Sequence, residues 1–500
     1  MSSSTDARAH TESGTEVPGR WPALAVCLVA GFMTLLDVSA VDVALPSIRT
    51  QLHATSADLQ WVLSGYALAF GLVLVAAGRL GDAWGRRGMF IAGLVGFTLA
   101  SAAAGLSTSP SFLLTARLAQ GVTAGVLNPQ IIGLIQQMFR GQERGKAFGM
   151  LGASIGLSTA IGPLAGGLLI AAGAHDGWRL IFFINVPIGI AVLACAPALI
   201  PRSAPGSPDS HGQAGAGRRG IRGLLADLDP IGVLLLAASI LLILLPLIEQ
   251  QQWQGTTRWA MYAGGVVLLV CFAAWERFYG RTREPLVDLE LFRLRSYTLG
   301  SLVALIYFAG FTAIFFVFTV YLQTGLGYSA LLAGAAITPF AVGAAFAAGA
   351  GGAFTARHGH AMVAGGLVMA AIGLGGVLLA VHDVQTRTIG WITIAPLLLT
   401  GLGSGLVIAP NEALTLADVP RRRAGSAAGV LQTGQRVGSS LGIALVSSVF
   451  YHDFAPNPRQ AAHALGMGLA IATGFVVLTL IPALADLRGW HRHRAANERG

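Results

Sequence analysis

Apolar stretches of membrane-spanning length follow one another down this chain, separated by short polar breaks rich in arginine and glycine. A helix crossing the hydrocarbon core needs roughly 20 mostly apolar residues. By that measure the pattern predicts fourteen spans: 21–44, 57–78, 89–107, 110–134, 147–172, 180–200, 230–248, 259–276, 298–323, 329–355, 361–381, 389–413, 425–450 and 463–487. Glycine and proline interrupt several of them.

The polar breaks orient this array. With the N-terminus inside, the loops assigned to the cytoplasm hold 25 Arg and Lys residues, and the outer loops hold only Arg49, Arg179, Arg258, Arg387 and Arg459. The bias alternates loop by loop, which a missed or invented helix would scramble. Both termini are therefore expected in the cytoplasm.

Two longer polar stretches divide the array. The Pro-, Gly- and Ser-rich segment 201–229 reads as a cytoplasmic linker, and a basic segment, 277–297, reads as a second. The expected organisation is a disordered cytoplasmic segment 1–20, a six-helix bundle 21–200, the first linker, two inserted helices 230–276, the second linker, a six-helix bundle 298–487 and a tail 488–500. The first apolar run has no small-residue cleavage site after it and reads as a retained helix, not a signal peptide. Two six-helix halves suggest an internally repeated transporter with its substrate between them.

Composition agrees with this class. Charged residues make up 11% of the chain, against about 25% in soluble proteins. The 66 glycines fit closely packed membrane helices. A net charge of +9 would suggest nucleic acid, but the arginines lie in short loops between apolar runs, so no nucleic-acid partner is expected. Cys27, Cys195 and Cys271 sit in apolar stretches without ligand spacing, and His491 and His493 read as a solvated tail, so no metal site is expected. The single lysine, Lys146, stands in a stretch that lacks the P-loop pattern, because Arg140 replaces its first glycine and Ala147 its last hydroxyl. Transport would then draw on an ion gradient, with no cofactor. "GASIG" matches G-x-S-x-G, but Ser154 is in mid-helix with no strand before it, so no hydrolase is read from it.

Charges inside the spans are the candidate chemistry. An intramembrane ionisable group is costly and functional by default. Asp37 lies about 12 Å and Arg117 about 10 Å below the outer ends of the first and fourth spans, counted at 1.5 Å per residue. Sharing a layer, they can pair if their faces meet. Burial raises a carboxylate's pKa and a nearby guanidinium lowers it, so a conformational change could move a proton on and off such an acid. Asp42 is nearer the outer surface. Glu412 and Arg436 are the charges of the twelfth and thirteenth spans. Glu412 reads as either a surface or a coupling group, and Arg436 has no partner evident from spacing. Trp61 and Tyr66 are candidates for an aromatic lining.

The loop "GRLGDAWGRRG" (78–88) places Asp82 between Gly78 and Gly85 and follows it with Arg86 and Arg87. Asp82 and Arg86 can pair at the cytoplasmic mouth, where an exposed pair is worth about 0–1 kcal/mol. This loop resembles the signature loop of the major facilitator superfamily. "LDVSAVDVALP" (36–46), "LTARLAQGVTAG" (114–125), "GASIGLSTAIGPLAGG" (152–167) and "WRLIFFINVPIG" (178–189) resemble motifs of its fourteen-helix drug:proton antiporter branch. Asp42 and Ser39 depart from that pattern, which often has Asn and Thr. The matching loop of the second half (352–360) offers Ala356 and His360 in the acidic and basic places, so a charge latch is expected in the first half alone.

The resemblance implies an all-α polytopic membrane protein with the major facilitator fold, fourteen helices arranged 6+2+6. It implies a gate at the Asp82 loop. It also implies a sealing, exporter-type surface on the fifth span, where Gly152, Gly156, Gly162, Gly166 and Gly167 leave little side chain and Pro163 favours a kink. The function expected is proton-coupled export of amphipathic drugs or antibiotics across a bacterial plasma membrane, by a monomer that uses the proton gradient, with Asp37 and Arg117 coupling the proton. Transport of a small metabolite, or a non-transporting membrane sensor, are the alternatives.

Overall fold

The computed structural model describes residues 19–173, 176–201, 229–248, 255–283, 285–383, 388–453 and 458–497. Most of the linker 201–229 and the segment 1–18 lie outside the described residues. Within them the chain is helical. The helices are α1 (Arg20–Gln51), α2 (Ser56–Trp84), α3 (Arg86–Gly105), α4 (Pro110–Met138), α5 (Gly141–Ala172), α6 (Gly177–Phe183, continued by Asn185–Leu199), α7 (Pro230–Ile248) and α8 (Gly255–Tyr279). They continue as α9 (Arg295–Val320, ending in a π turn), α10 (Ala330–Gly351), α11 (Thr355–Asp383), α12 (Ile394–Thr415), α13 (Ala424–Asp453) and α14 (Pro458–Leu478, continued by Leu480–Asn497). Each matches one span in the hydrophobic pattern.

Thirteen helices among the described residues are long and apolar enough to cross a membrane. α13 is the exception, although it runs 30 residues. Its polar side chains, Gln432, Gln435, Arg436 and Ser439 among them, are at least partly covered by neighbouring helices. A helix wrapped by protein need not be as apolar as one facing lipid.

Each half packs its own helices together, and one buried apolar cluster runs across both, joining Phe90 and Phe148 to Tyr297, Leu416 and Leu431. In the first, α1 packs on α5 and α6, and α4 packs on α2 and α3. In the second, α12 packs on α10 and α11, while α9, α13 and α14 pack on one another. The inserted pair α7–α8 joins through α7, which covers the crevice between α2 and α13. Trp61 packs there, among Leu68, Ile240 and Leu244, so this ring lies against the inserted helix rather than lining a central site. The 3₁₀ turn Leu289–Arg293 in the second linker buries Leu291, and Asp288 beside it is paired with Arg423.

Glycines set the closest approaches. A β-carbon on Gly442 of α13 would land on the carbonyl of Ala309 in α9. Backbone in contact cannot yield as a flexible side chain does. Gly442→Val is expected to destabilise the second half by about 1–3 kcal/mol, read as a lower unfolding temperature of the purified protein. An unchanged melt would contradict this packing.

Both described chain ends lie at the Asp82 end of the molecule. Arg20 pairs with Glu143 at the start of α5 at 2.9 Å, and Gln142 beside it donates to the carbonyl of Ala353 at 3.1 Å. Arg295 donates to the carbonyl of Ala485 at 2.6 Å, and His360 meets Asp486 at 3.4 Å. This end carries the basic loops and is the one expected on the cytoplasmic side, the inner end of the molecule. The stretch 488–497 expected as a tail continues α14, with the His491 ring against Trp490 at 5.0 Å.

Candidate functional site

α1 carries Asp37 into the centre of the first half, where the side chain is wholly buried. Three donors converge on it. Arg117 Nη1 lies 2.5 Å from Oδ2, and Asn185 Nδ2 donates to Oδ1 at 2.8 Å. Gln120 Nε2 reaches Oδ1 at 3.3 Å and Ser101 Oγ at 2.7 Å. An ionised carboxylate accepts such a set without competition. Asp37 and Arg117 thus share one layer, as helical rise places them, and their faces meet.

Arg117 has partners besides the acid. Its Nε donates to the Val62 carbonyl at 3.1 Å, its Nη1 also reaches Gln120 Oε1 at 3.0 Å, and its guanidinium stands 4.3 Å from the Tyr66 ring centroid. The cation thus keeps a carbonyl, an amide and an aromatic face if Asp37 becomes neutral. A buried charge stripped of every partner would be strongly destabilising, and this one would not be stripped.

Gln120, Asn185 and Ser101 were not singled out by the sequence. Gln120 stands three residues after Arg117, and Asn185 lies inside "FFINVPIG". Spacing gives Gln120 the same helix face as Arg117. For Asn185 and Ser101 no local signal marks the partner.

At the inner end, Asp82 is also buried and pairs with Arg86 at 2.9 Å. Both belong to the first half, so motion between halves leaves that pair intact. The contact that crosses is different. Gly425 N and Ser426 N, at the start of α13, donate to the two oxygens of Asp82 at 3.0 and 2.8 Å. An anion at a helix N-terminus satisfies orphan amides and the helix dipole together. The expected Asp82–Arg86 pair is present, and a contact that the sequence did not name is added to it: Arg86, anchored at 3.0 Å to the Gly133 carbonyl, positions the acid, which also accepts from the N-terminus of α13. Gly78 permits it, because a β-carbon there would strike the Gly425 carbonyl. Gly85 turns the chain between α2 and α3 at φ 101°, and Arg87 donates to the Pro197 carbonyl at 2.5 Å.

α5 seals the halves along much of its length, but its glycines do not form the single bare surface read from the sequence. Gly152 and Gly156 face the other half, Gly152 against Ala409 of α12 and Ala348 of α10, and Gly156 against Ala345 and Ala341 of α10. Gly162 and Gly166 instead face Ser39 and Ala40 of α1, within the first half, and Ser39 Oγ donates to the Ser158 carbonyl at 3.2 Å. Gly167 again meets α10 at Leu331, and Pro163 packs against Gly334. A straight register of glycines becomes two surfaces because α5 is wedged between α1 and α10. Ser154 Oγ donates to the Leu28 carbonyl at 3.3 Å, a packing contact. At the inner end Gln136 and Arg144 reach the carbonyls of Leu416 and Ala417 at 3.0 and 3.4 Å, so this conformer is closed there.

The second-half charges are placed as follows. Glu412 is buried and accepts from Gln435 Nε2 at 3.2 Å, which removes the surface reading. Arg436 stands over the Phe70 ring of α2, 4.6 Å from its centroid, and Phe70 stacks on Tyr66 at 6.2 Å. The side chain of Asp42 is outside the described residues.

Comparison with known proteins gives this architecture a family. Residues 27–443 match the Major Facilitator Superfamily. The chain is 36% identical over 437 residues to a probable actinorhodin transporter of Streptomyces coelicolor, covering 86% of this chain and 72% of that protein. It is 33% identical over 500 residues to a puromycin resistance protein of Streptomyces alboniger, covering 97% and 94%. The human organic anion transporter MFSD10 superposes with a TM-score of 0.65 at 14% identity, covering 93% of this chain and all (100%) of that one, a likeness of fold alone. With its two packed helical halves and this extent of match, the chain belongs to the Major Facilitator Superfamily of multi-pass membrane transporters.

Proposed function

We propose that the protein is a proton-coupled antiporter that exports amphipathic antibiotics or drugs across a bacterial plasma membrane by alternating access. The observation that carries this reading is the Asp37–Arg117 pair, an acid and a cation buried mid-span with a full set of donors around the acid. Relatives named for an antibiotic transporter and a resistance protein support the direction of transport. The carboxylate takes a proton from the outside, which releases Arg117 to its carbonyl and ring contacts. The halves then rock, parting Asp82 from the N-terminus of α13 and opening the inner end. Cargo entering from the inner leaflet displaces the proton to the cytoplasm, and the reverse movement exports it. Residues Phe311 and Phe340, which border a void of about 20 Å³ against Ile155 and Thr159 of α5, offer an apolar wall between the halves.

One elementary charge moving through about 150 mV releases roughly 3.5 kcal/mol. That sustains about a 300-fold gradient of a neutral solute at about 1.4 kcal/mol per tenfold, enough for resistance. The test is reconstitution in proteoliposomes with an imposed pH gradient and puromycin within an antibiotic panel. Gradient-driven movement of at least one compound, with proton flux that rises with cargo and vanishes with a protonophore, is expected. Transport indifferent to the gradient would end the antiport reading.

A further inference from the structure

Arg436 is a guanidinium in mid-helix for which no carboxylate lies within reach among the described residues. Asp37 is taken by Arg117, and Glu412 is held by Gln435. Its guanidinium stands over the Phe70 ring, contributed by the opposite half, with Tyr66 close enough to interact with its charge. The side chain is only partly covered. A guanidinium held over a ring still has N–H groups to donate, and its planar fork is suited to a bidentate carboxylate.

Its neighbours carry the same unfinished chemistry. Gln432 and Thr433 stand one turn earlier on the same helix face. The oxygens Gln432 Oε1 and Thr433 Oγ1 are buried and have no hydrogen-bond partner. One face of α13 therefore presents a free cation and two idle oxygens, beside the stacked rings of Phe70 and Tyr66 that lie 6.2 Å apart with a 20° tilt. Buried polar groups are rarely left unpaired, and in a membrane span they mark a ligand path.

We infer that Arg436 is a cargo-binding residue, and that the cargo is a planar aromatic compound bearing an anionic group, with ring hydroxyls or N–H groups to meet Gln432 and Thr433. The anion docks on the guanidinium edge while the aromatic body lies along Phe70. This deepens the export reading, on which it rests for the direction of movement, by naming the class of compound moved. It also gives the two guanidinium groups separate tasks at opposite ends of one ring stack, since Arg117 stands 4.3 Å from Tyr66 and Arg436 4.6 Å from Phe70. Arg117 serves the proton and Arg436 the cargo.

The experiment is equilibrium binding to the full chain in lipid nanodiscs with no gradient, using fluorescein as an anionic probe and rhodamine 123 as a cationic one. The wild type is expected to bind fluorescein more tightly than rhodamine 123. Arg436→Gln is expected to weaken fluorescein by about 10- to 100-fold, the worth of a charged hydrogen bond, and to leave rhodamine 123 unchanged, with Arg436→Lys between. A purely structural role would lower the unfolding temperature and affect both probes alike. Should Arg436→Gln not fold, competition on the wild type decides: 2-naphthoate should displace fluorescein at least about tenfold better than its neutral amide. Equal displacement, unaltered fluorescein binding by the variant, tighter binding of the cation or no binding of the anion would each overturn the inference. Because no proton gradient enters, a failure of antiport would leave this result readable, and the reverse holds as well.

Discussion

Asp37→Asn is expected to abolish proton-driven export while the protein still folds and still binds cargo. Asparagine occupies nearly the same volume and keeps an acceptor for Asn185 and Gln120, so the network around residue 37 survives in outline. What disappears is the carboxyl group proposed to exchange a proton. Arg117 loses a charged partner but retains Val62, Gln120 and the Tyr66 ring. Removing one member of a buried ion pair commonly costs about 3–5 kcal/mol, and those remaining contacts are expected to reduce that loss. The measurement compares cargo-coupled proton flux with downhill, gradient-free cargo exchange. Loss of the first with retention of the second supports the coupling role, and full gradient-driven export by the variant refutes it.

Gly78→Val carries the second large effect. Its side chain would meet the Gly425 carbonyl where α2 and α13 touch, close to the two amides that hold Asp82. On the proposed alternating-access cycle only the inner-closed conformer makes this contact, so an overpacking cost of about 1–3 kcal/mol is expected to fall on that conformer alone. Populations move by the differential, which corresponds to about 5- to 150-fold toward the inward-open form. Spin labels at positions 140 and 422, which belong to exposed loops of opposite halves at the inner end, read this directly in a background lacking Cys27, Cys195 and Cys271. A longer mean distance is expected. An unchanged distribution would mean that the close approach is not what limits opening. Asp82→Ala should act in the same direction with a smaller effect, by the roughly 0.5–2 kcal/mol of a lost helix cap.

Hydropathy and arginine placement located the helices because each is a property of short stretches. The cost of moving a segment into lipid depends on its own side chains, and the basic bias depends on which loop a residue occupies. Asp37 and Arg117 were paired from depth for the same reason, since rise per residue fixes height along a helix axis. Azimuth is different. The sequence placed Arg86 beside Asp82 correctly, four residues along, but the partner that crosses the halves lies 343 residues away at Gly425. Nothing in the local pattern of either segment names the other.

The glycines of α5 make the same point. Their register along the helix was legible, and their division between α1 and α10 was not, because it depends on the two helices between which α5 is wedged. Likewise, the low hydropathy of α13 says that it avoids lipid but not which neighbour covers it.

By itself, then, the sequence determined the membrane class, the order of fourteen helical segments and the shared layer of Asp37 and Arg117, all of which are set by transfer free energy and helical rise. Tertiary structure alone decided that Asn185 and Ser101 join the Asp37 network, that Asp82 grips the N-terminus of α13, and that Arg436 rests on an aromatic ring of the other half. Those outcomes depend on which helix faces meet after two bundles pack, and contacts between distant segments are fixed by shape and mutual burial rather than by any property of one segment.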